Sequence, residues 1–345
     1  MQDKLHTQLE PDKDREKEKP TDPLVSIIVI TYNSSKYVLE TLESAKAQTY
    51  QNIELIVSDD CSSDNTVDLC EEWIKANNER FVSALLIPSR INTGITANCN
   101  RGLHEAKGEW VKFLAGDDTL TNDSIFAFID FKNENPQAKF IVSNINIIDQ
   151  NGLLIRKRIH PAKNFSFKHR RLLRNILKNC FISAVGIFIE RDILNSLGGF
   201  DERFEMQEDY PLFVKLAKNN VNFYYFNLCL INYRINDQSI WTQYKSDIVS
   251  PTAIRHFNST KKFYELELLP ALHKEKMYYY YFRSYLYIKK EEKRINKDNS
   301  YRMYNFIYMI DPKTILNISV GLIVRLLKIG LGNSAYLKLK KYVRG

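Results

Sequence analysis

No disulfide framework and no cysteine-based metal module can be built from this chain. Its five cysteines, Cys61, Cys70, Cys99, Cys180 and Cys229, are odd in number and show neither Cys-x-x-Cys nor a Cys/His ligand spacing. Free thiols in a reducing compartment are the expectation. Residues 1–22 lack the apolar stretch that a secretory signal or a membrane span needs, and their mixed charge predicts a disordered leader. Internal repeats are absent, as is low-complexity sequence beyond the leader. What remains is 345 residues at 44% hydrophobic content, enough for one large core and an appendage.

The net charge of +8 is unevenly spread, because residues 251–345 hold 19 Lys and Arg against 7 Asp and Glu. The basicity is a property of the tail.

Order begins near Pro23. The β-branched run Leu24 to Ile30 fits a strand buried on both faces, Thr31 to Ser35 fits a loop, and Lys36 to Gln48 a helix. A second strand, Ile53 to Ser58, ends in Asp59 and Asp60 and leads through a loop rich in helix-capping residues to a helix ending near Ala76. A third strand at Ala84 to Pro88 precedes a helix to Ala106, with Gly108 as its cap. The fourth strand starts at Val111 and ends in Gly116-Asp117-Asp118. This alternation predicts an α/β fold with a parallel sheet wrapped by helices. Further elements are expected at Asp123 to Asn133 (helix), Phe140 to Asn144 with Ile145 to Ile148 close behind, Gly186 to Glu190, Tyr210 to Lys218 (helix) and Phe223 to Tyr233. From Pro251 the pattern changes to aromatic, basic helices, so the boundaries are a leader (1–22), a catalytic domain (23–250) and a helical C-terminal region (251–345).

Three acidic sites, Asp59/Asp60, Asp117/Asp118 and Glu208/Asp209, stand at loop ends that the alternation brings to one edge of the sheet. Gly-Asp is also ordinary turn chemistry. Gathered like charge is unfavourable unless something compensates it, and Mg2+ or Mn2+ held by one or two carboxylates and substrate phosphates would do so. A diphosphate substrate is the expectation.

Taken in order, Pro23-Leu-Val-Ser-Ile-Ile-Val-Ile-Thr-Tyr-Asn33, Ile56-Val-Ser-Asp-Asp-Cys-Ser-Ser-Asp-Asn-Thr66, Asn92-x-Gly94, Gly108-Glu-Trp-Val-Lys-Phe-Leu-Ala-Gly-Asp-Asp118, Gly198-Gly-Phe-Asp201 and Glu208-Asp209 resemble the motifs of family 2 glycosyltransferases of the GT-A fold. The resemblance covers Pro23 to Trp241. It implies a GT-A type, mostly parallel sheet flanked by helices, and an inverting, metal-dependent hexosyltransferase using a UDP-sugar. Thr31, Tyr32 and Asn33 match the loop against the base, and Asp60 the acceptor of the uracil N3-H, though Asp60 also reads as a helix-capping acid. Asp118 matches the metal ligand and Asp117 the carboxylate near the ribose; both belong to the DxD element. Asp209 matches the general base, with Glu208 beside it, while an acid at a helix N-terminus is favourable in any case. The chain departs from the pattern at Cys61, where Gly is common, at Ser34-Ser35, where charged residues are common, and at Cys99, where Arg is frequent.

The basic segment Arg156 to Arg174 reads either as a solvated loop or as a site for a phosphate-bearing acceptor. Asp237 to Trp241 is expected to close over the donor, with Ser239 and Trp241 at the acceptor or lid, unless Trp241 packs in the core. In the tail, aromatic and basic residues alternate from Met277 to Arg294 without any nucleic-acid module, so nucleic acid is not an expected partner. Ile315 to Leu331 carries Arg325 and Lys328 beside a broad apolar face, which suits an anionic membrane surface, or packing on the catalytic domain, better than a span. Together these features predict a bacterial cytoplasmic enzyme at the inner face of the cell membrane, extending a lipid-linked oligosaccharide for O-antigen or capsule. A nucleotidyltransferase would want a Gly-rich loop that Thr31 to Ser35 lacks, and a non-catalytic nucleotide-sugar-binding module would have no need of Asp60, Asp118 and Asp209 together.

Overall fold

The structure is a computed structural model that describes residues 22–165, 167–236, 250–298 and 300–309. The expected lid Asp237 to Trp241, with Ser239 and Trp241, and the tail segment Ile315 to Leu331 lie outside the described residues.

The apolar runs become β1 (Val25–Thr31), β2 (Ile53–Asp59), β3 (Ser83–Pro88) and β4 (Trp110–Ala115), all mutually parallel in the order β3-β2-β1-β4. The crossovers are α1 (Val38–Lys46), α2 (Thr66–Asn77) and α3 (Ile95–Glu105). Alternate strand residues feed two cores. Val25, Ile27, Val29, Leu55 and Val57 join Leu42 and Trp73 on one face, while Ile28, Ile56, Val111 and Phe113 join Leu103 and Phe204 on the other. A strand covered on both sides needs apolar residues at every position, which is why these runs do not alternate with polar residues.

Because the chain returns to the far side of β1, the carboxyl ends of β1 and β4 flank a topological switch point, where open α/β sheets form a ligand crevice. Register places Thr31 opposite Asp59 and Ile30 opposite Ala115. The acid pairs after β2 and β4 therefore leave the sheet at the same edge.

Beyond the crevice come β5 (Thr119–Leu120), α4 (Ser124–Glu134), β6 (Phe140–Ile148), β7 (Leu154–Arg158), α5 (His169–Lys178), β8 (Ile187–Glu190), α6 (Arg191–Ser196), α7 (Asp209–Lys218) and β9 (Tyr224–Arg234). The sheet continues β4-β8-β6-β9-β5 with β7 on β6. Strands β6 and β9 are parallel, whereas β8, β5 and β7 run antiparallel to their neighbours. The fold is α/β with a mostly parallel sheet flanked by helices, as the alternation predicts. The basic segment holds an unexpected helix: in α5 the cations cover the outside while Leu172, Ile176 and Leu177 are buried, a sparse apolar stripe that charge masks in the sequence.

Gly108 does not cap α3, whose C-cap is Ala106 in an extended conformation. It is glycine because the chain crosses β1 closely, and a Cβ there would stand 2.5 Å from the Ser26 amide nitrogen. Its own N–H donates to Ser26 Oγ and to Glu54 Oε1, both at 2.9 Å.

The C-terminal region begins with α8 (Pro251–Phe263), a π-helical turn Tyr264–Leu268 and α9 (Leu269–Lys274), followed by α10 (Tyr278–Ile295) and α11 (Tyr301–Met309). Pro251 opens α8 with the Ser250 hydroxyl accepting from the Ala253 N–H at 3.1 Å. Phe263, Leu268, Leu272 and Met277 enter the core that holds Phe204 and Phe213. Among the described residues no helix is long and apolar enough to cross a membrane.

Gly108→Ala should lower stability by about 1 to 3 kcal/mol, as overpacking does, measured by urea unfolding. An unchanged midpoint would mean that the strand is free to move away.

Candidate active site

At the ends of β1 and β2 most of the polar groups hold each other. Thr31, buried, donates its hydroxyl to Asp59 Oδ2 at 2.8 Å, and Asp59 also accepts from the Ser62 N–H and hydroxyl. Asn33 receives the Ser63 N–H on Oδ1 and gives its own N–H to Ser62 Oγ, each at 2.8 Å. Of the expected base-binding trio, Tyr32 is the residue open to a ligand, with 53% of its surface exposed.

Asp60 is buried and works as a tertiary cap for α3. Its carboxylate accepts from the Thr93 N–H (3.0 Å), the Thr93 hydroxyl (2.7 Å) and the Gly94 N–H (2.7 Å), with Arg101 at 3.3 Å. Arg101 thus supplies the cation that Cys99, a buried thiol, does not. Cys61, standing where glycine is common, has φ = 67°, a left-handed conformation that costs a residue with a side chain about 1 to 2 kcal/mol.

Asp117 and Asp118 occupy the turn between β4 and β5, and the structure treats them differently. Asp118 is 0% exposed; its Oδ1 accepts the Arg234 N–H at 2.9 Å, and its Oδ2 is buried with no hydrogen-bond partner among the described residues. Burial, then the neighbouring Asp117 charge, pushes its carboxyl well above the usual range. Asp117 is half-buried, accepts from Asn236 Nδ2 at 2.8 Å, and is raised less, by burial. Beneath them Lys112, wholly buried, is lowered to about 7 by burial and donates to the Val185 and Phe113 carbonyls.

Arg234 and Asn236 were not legible as site residues. The Arg234 guanidinium, buried at the end of β9, binds the Asp117 carbonyl (2.8 Å) and Glu40 (2.6 Å) and lies 4.5 Å from the Tyr37 ring centroid. A cation ending a predicted strand carries no local sign that it will be buried against residues more than a hundred positions away.

The third acid pair opens α7. Helix α3 brings it to the crevice: Thr96 donates its hydroxyl to the Phe204 carbonyl (2.7 Å), and Asn100 accepts from the Phe200 N–H (2.8 Å). Gly199, at φ = 71°, lies where a Cβ would meet Asn100 Oδ1 at 2.6 Å, while Gly198 has open space around it and is held at φ = 73°. Glu208 is pushed up to about 8 by burial and by the Asp209 charge. Asp209 is raised by burial, partly offset by the Tyr210 N–H and by Arg158. Burial of two adjacent carboxyls thus disfavours a charge on both at once. Arg158, at the end of β7, acts on Asp209 and on Tyr233, which in turn feels Asp117 and Asp118. Arg158 is thus within electrostatic reach of the α7 pair, and Tyr233 of both Arg158 and the acid turn.

A raised carboxyl stabilises the fold fully below its ordinary 4.5, and that contribution is lost as pH rises through about 8. Wild-type melting temperature should fall across this window, and Glu208→Gln should flatten the slope; parallel profiles would refute the shifted pKa. Cys61→Gly should raise stability by about 1 kcal/mol, read by denaturant titration, and a loss would show that Cys61 packs usefully.

The family model described as Glycosyl transferase family 2 matches residues 26–198, half of the chain. TuaG of Bacillus subtilis, named for teichuronic acid biosynthesis, is 28% identical over 63% of this chain and 81% of its own length. WfgD of Escherichia coli, a UDP-Glc:alpha-D-GlcNAc-diphosphoundecaprenol beta-1,3-glucosyltransferase, is 30% identical over 64% of this chain and 80% of its own. Among solved structures, S. aureus TarS in complex with UDP superposes with a TM-score of 0.54 at 16% identity, covering 88% of this chain and 79% of that one. TarS in complex with UDP-GlcNAc gives 0.53 at 17%, covering 83% and 91%. At such identity the likeness bears on the fold, which is the GT-A type. With its motifs in order and its relatives in cell-surface polysaccharide synthesis, the chain belongs to glycosyl transferase family 2.

Proposed function

We propose that this glycosyltransferase moves a hexose from a UDP-sugar to a saccharide acceptor by a single inverting displacement, extending a lipid-linked oligosaccharide in surface polysaccharide assembly. The observation that carries the reading is the α7 pair, adjacent carboxyls Glu208 and Asp209 that are part-exposed where the helix opens. A sugar hydroxyl is a poor nucleophile at neutral pH, so a carboxylate within hydrogen-bond reach takes its proton as it attacks the anomeric carbon. Asp209 is that base. Base recognition falls to Tyr32, with Asp60 offering its carboxylate to the uracil N3-H from beneath. Thr31 and Asn33 hold the loop in shape.

Among the described residues no group of three or more His, Cys, Asp or Glu could by itself hold a metal ion. A hard cation, Mn2+ or Mg2+, whose remaining ligands are diphosphate and water fits a single carboxylate. When bound, it would neutralise charge growing on the departing diphosphate. Asp117, half-buried, suits this contact better than Asp118, which has no exposed surface, so the assignment suggested by the motif is exchanged between the two. Asp118 then locks the turn to β9. The donor reading draws on TarS complexes with UDP and UDP-GlcNAc, and the acceptor reading on the diphosphoundecaprenol substrate in the WfgD name. Such an acceptor would place the enzyme at the inner face of a bacterial membrane, where the basic tail would meet anionic headgroups.

Asp209→Asn should cut transfer by about 10²- to 10⁴-fold while calorimetric UDP affinity stays unchanged; normal turnover would overturn the assignment of the base. Asp117→Asn should weaken Mn2+-dependent UDP binding by about tenfold or more, and Asp118→Asn should preserve it. The reverse pattern would return the metal to Asp118.

A further inference from the structure

From Gln150 to Ile189 the chain runs forty residues without an Asp or a Glu, yet it carries nine Lys and Arg. Five of the exposed large apolar side chains lie in this stretch: Leu153, Leu154, Ile155, Ile159 and Phe167, the first 67% and the last 63% exposed. Exposed apolar groups interleaved with cations and free of acids are the composition of a surface that enters the headgroup layer of an anionic bilayer.

Helix α5 gives this composition a shape. Its apolar side is buried through Leu172, Ile176 and Leu177, and its outer side opens a groove lined by Lys168, Arg170, Arg171, Arg174, Asn175 and Lys178. Phe167 stands immediately before it. Arg170 and Arg174 both approach Glu275 at the end of α9, one acid for two cations, so the groove stays strongly positive. Tyr210, beside Asp209, donates its hydroxyl to the Ile176 carbonyl at 3.0 Å. The inner side of α5 is thus packed against the helix that carries the proposed base.

We propose that the outer face of α5, with Phe167 at its start, docks on the anionic surface of a lipid bilayer. Cations meet the phosphate headgroups while Phe167 enters the acyl boundary, and the docked face sets Asp209 beside the surface from which a lipid-borne acceptor would come. Nucleic acid suits this face less well, since the apolar side chains around it are mostly aliphatic and offer no stacking series. The inference deepens the reading of a membrane-borne acceptor, and UDP binding, scored separately, tells its failure from the failure of that reading.

The test is flotation of the full chain with vesicles of phosphatidylcholine alone or mixed with phosphatidylglycerol, with UDP affinity measured on each variant. Wild-type protein should float with the anionic vesicles and release in high salt. Arg171→Glu with Lys178→Glu should weaken flotation by about tenfold or more, Phe167→Ser should weaken it at low salt, and both should keep UDP affinity. If charge reversal disturbs UDP binding, Arg171→Gln with Lys178→Gln provides the same comparison. Flotation equal on neutral vesicles, or undiminished in the variants, would overturn the proposal. So would wild-type protein that ignores vesicles but is retained by polyglutamate, which would assign the face to an acidic protein.

Discussion

Carboxylates crowded at one edge of a sheet repel one another and resist leaving water, and the carboxyl edge of this sheet is built around answering that cost. Asp59 is surrounded by hydroxyl and amide donors from Thr31 and Ser62. Asp60 takes the amides that open α3, with Arg101 beside it. Asp118 accepts the Arg234 amide, and burial drives its carboxyl well above the usual range. Burial likewise raises Glu208 next to Asp209. After these accommodations, Asp117 and the α7 pair remain part-exposed at this edge.

This division explains why the scaffold reaches so far for its contacts. Arg234 joins the end of β9 to the acid turn, to Glu40 of α1 and to the Asp149 and Gln150 carbonyls between β6 and β7. Helix α3 plays a matching part on the other side, receiving Asp60 at its start and holding the Phe200 to Phe204 loop that leads to Asp209. Rigid elements on both sides thus position the acid turn and the α7 acids, which is what attack by a hydroxyl on a fixed carbon would require.

The C-terminal helices belong to the same arrangement. Phe263 lies 5.3 Å from the Phe204 ring and 5.0 Å from the Tyr210 ring, so the region after residue 250 supports the loop and helix that carry the α7 acids. Helix α5 supports that helix from the other side while presenting cations outward. The catalytic edge and the basic face are linked through one shared layer of packing.

By itself, the sequence determined the parallel half of the sheet, because strands buried on both faces leave continuous β-branched runs and short crossovers leave capping residues between them. It also determined which acids converge, since Asp60, Asp118 and Asp209 close ordered motifs at strand and helix ends. Only the tertiary structure decided what each acid can do. Neighbouring residues such as Asp117 and Asp118 look alike in a string, yet one is buried beneath an amide from β9 and the other opens to the crevice. The same holds for Arg234, for the left-handed Cys61 and for the apolar stripe beneath the cations of α5. Burial and long-range hydrogen bonds set protonation and access, and those arise from elements that meet in space after being far apart along the chain.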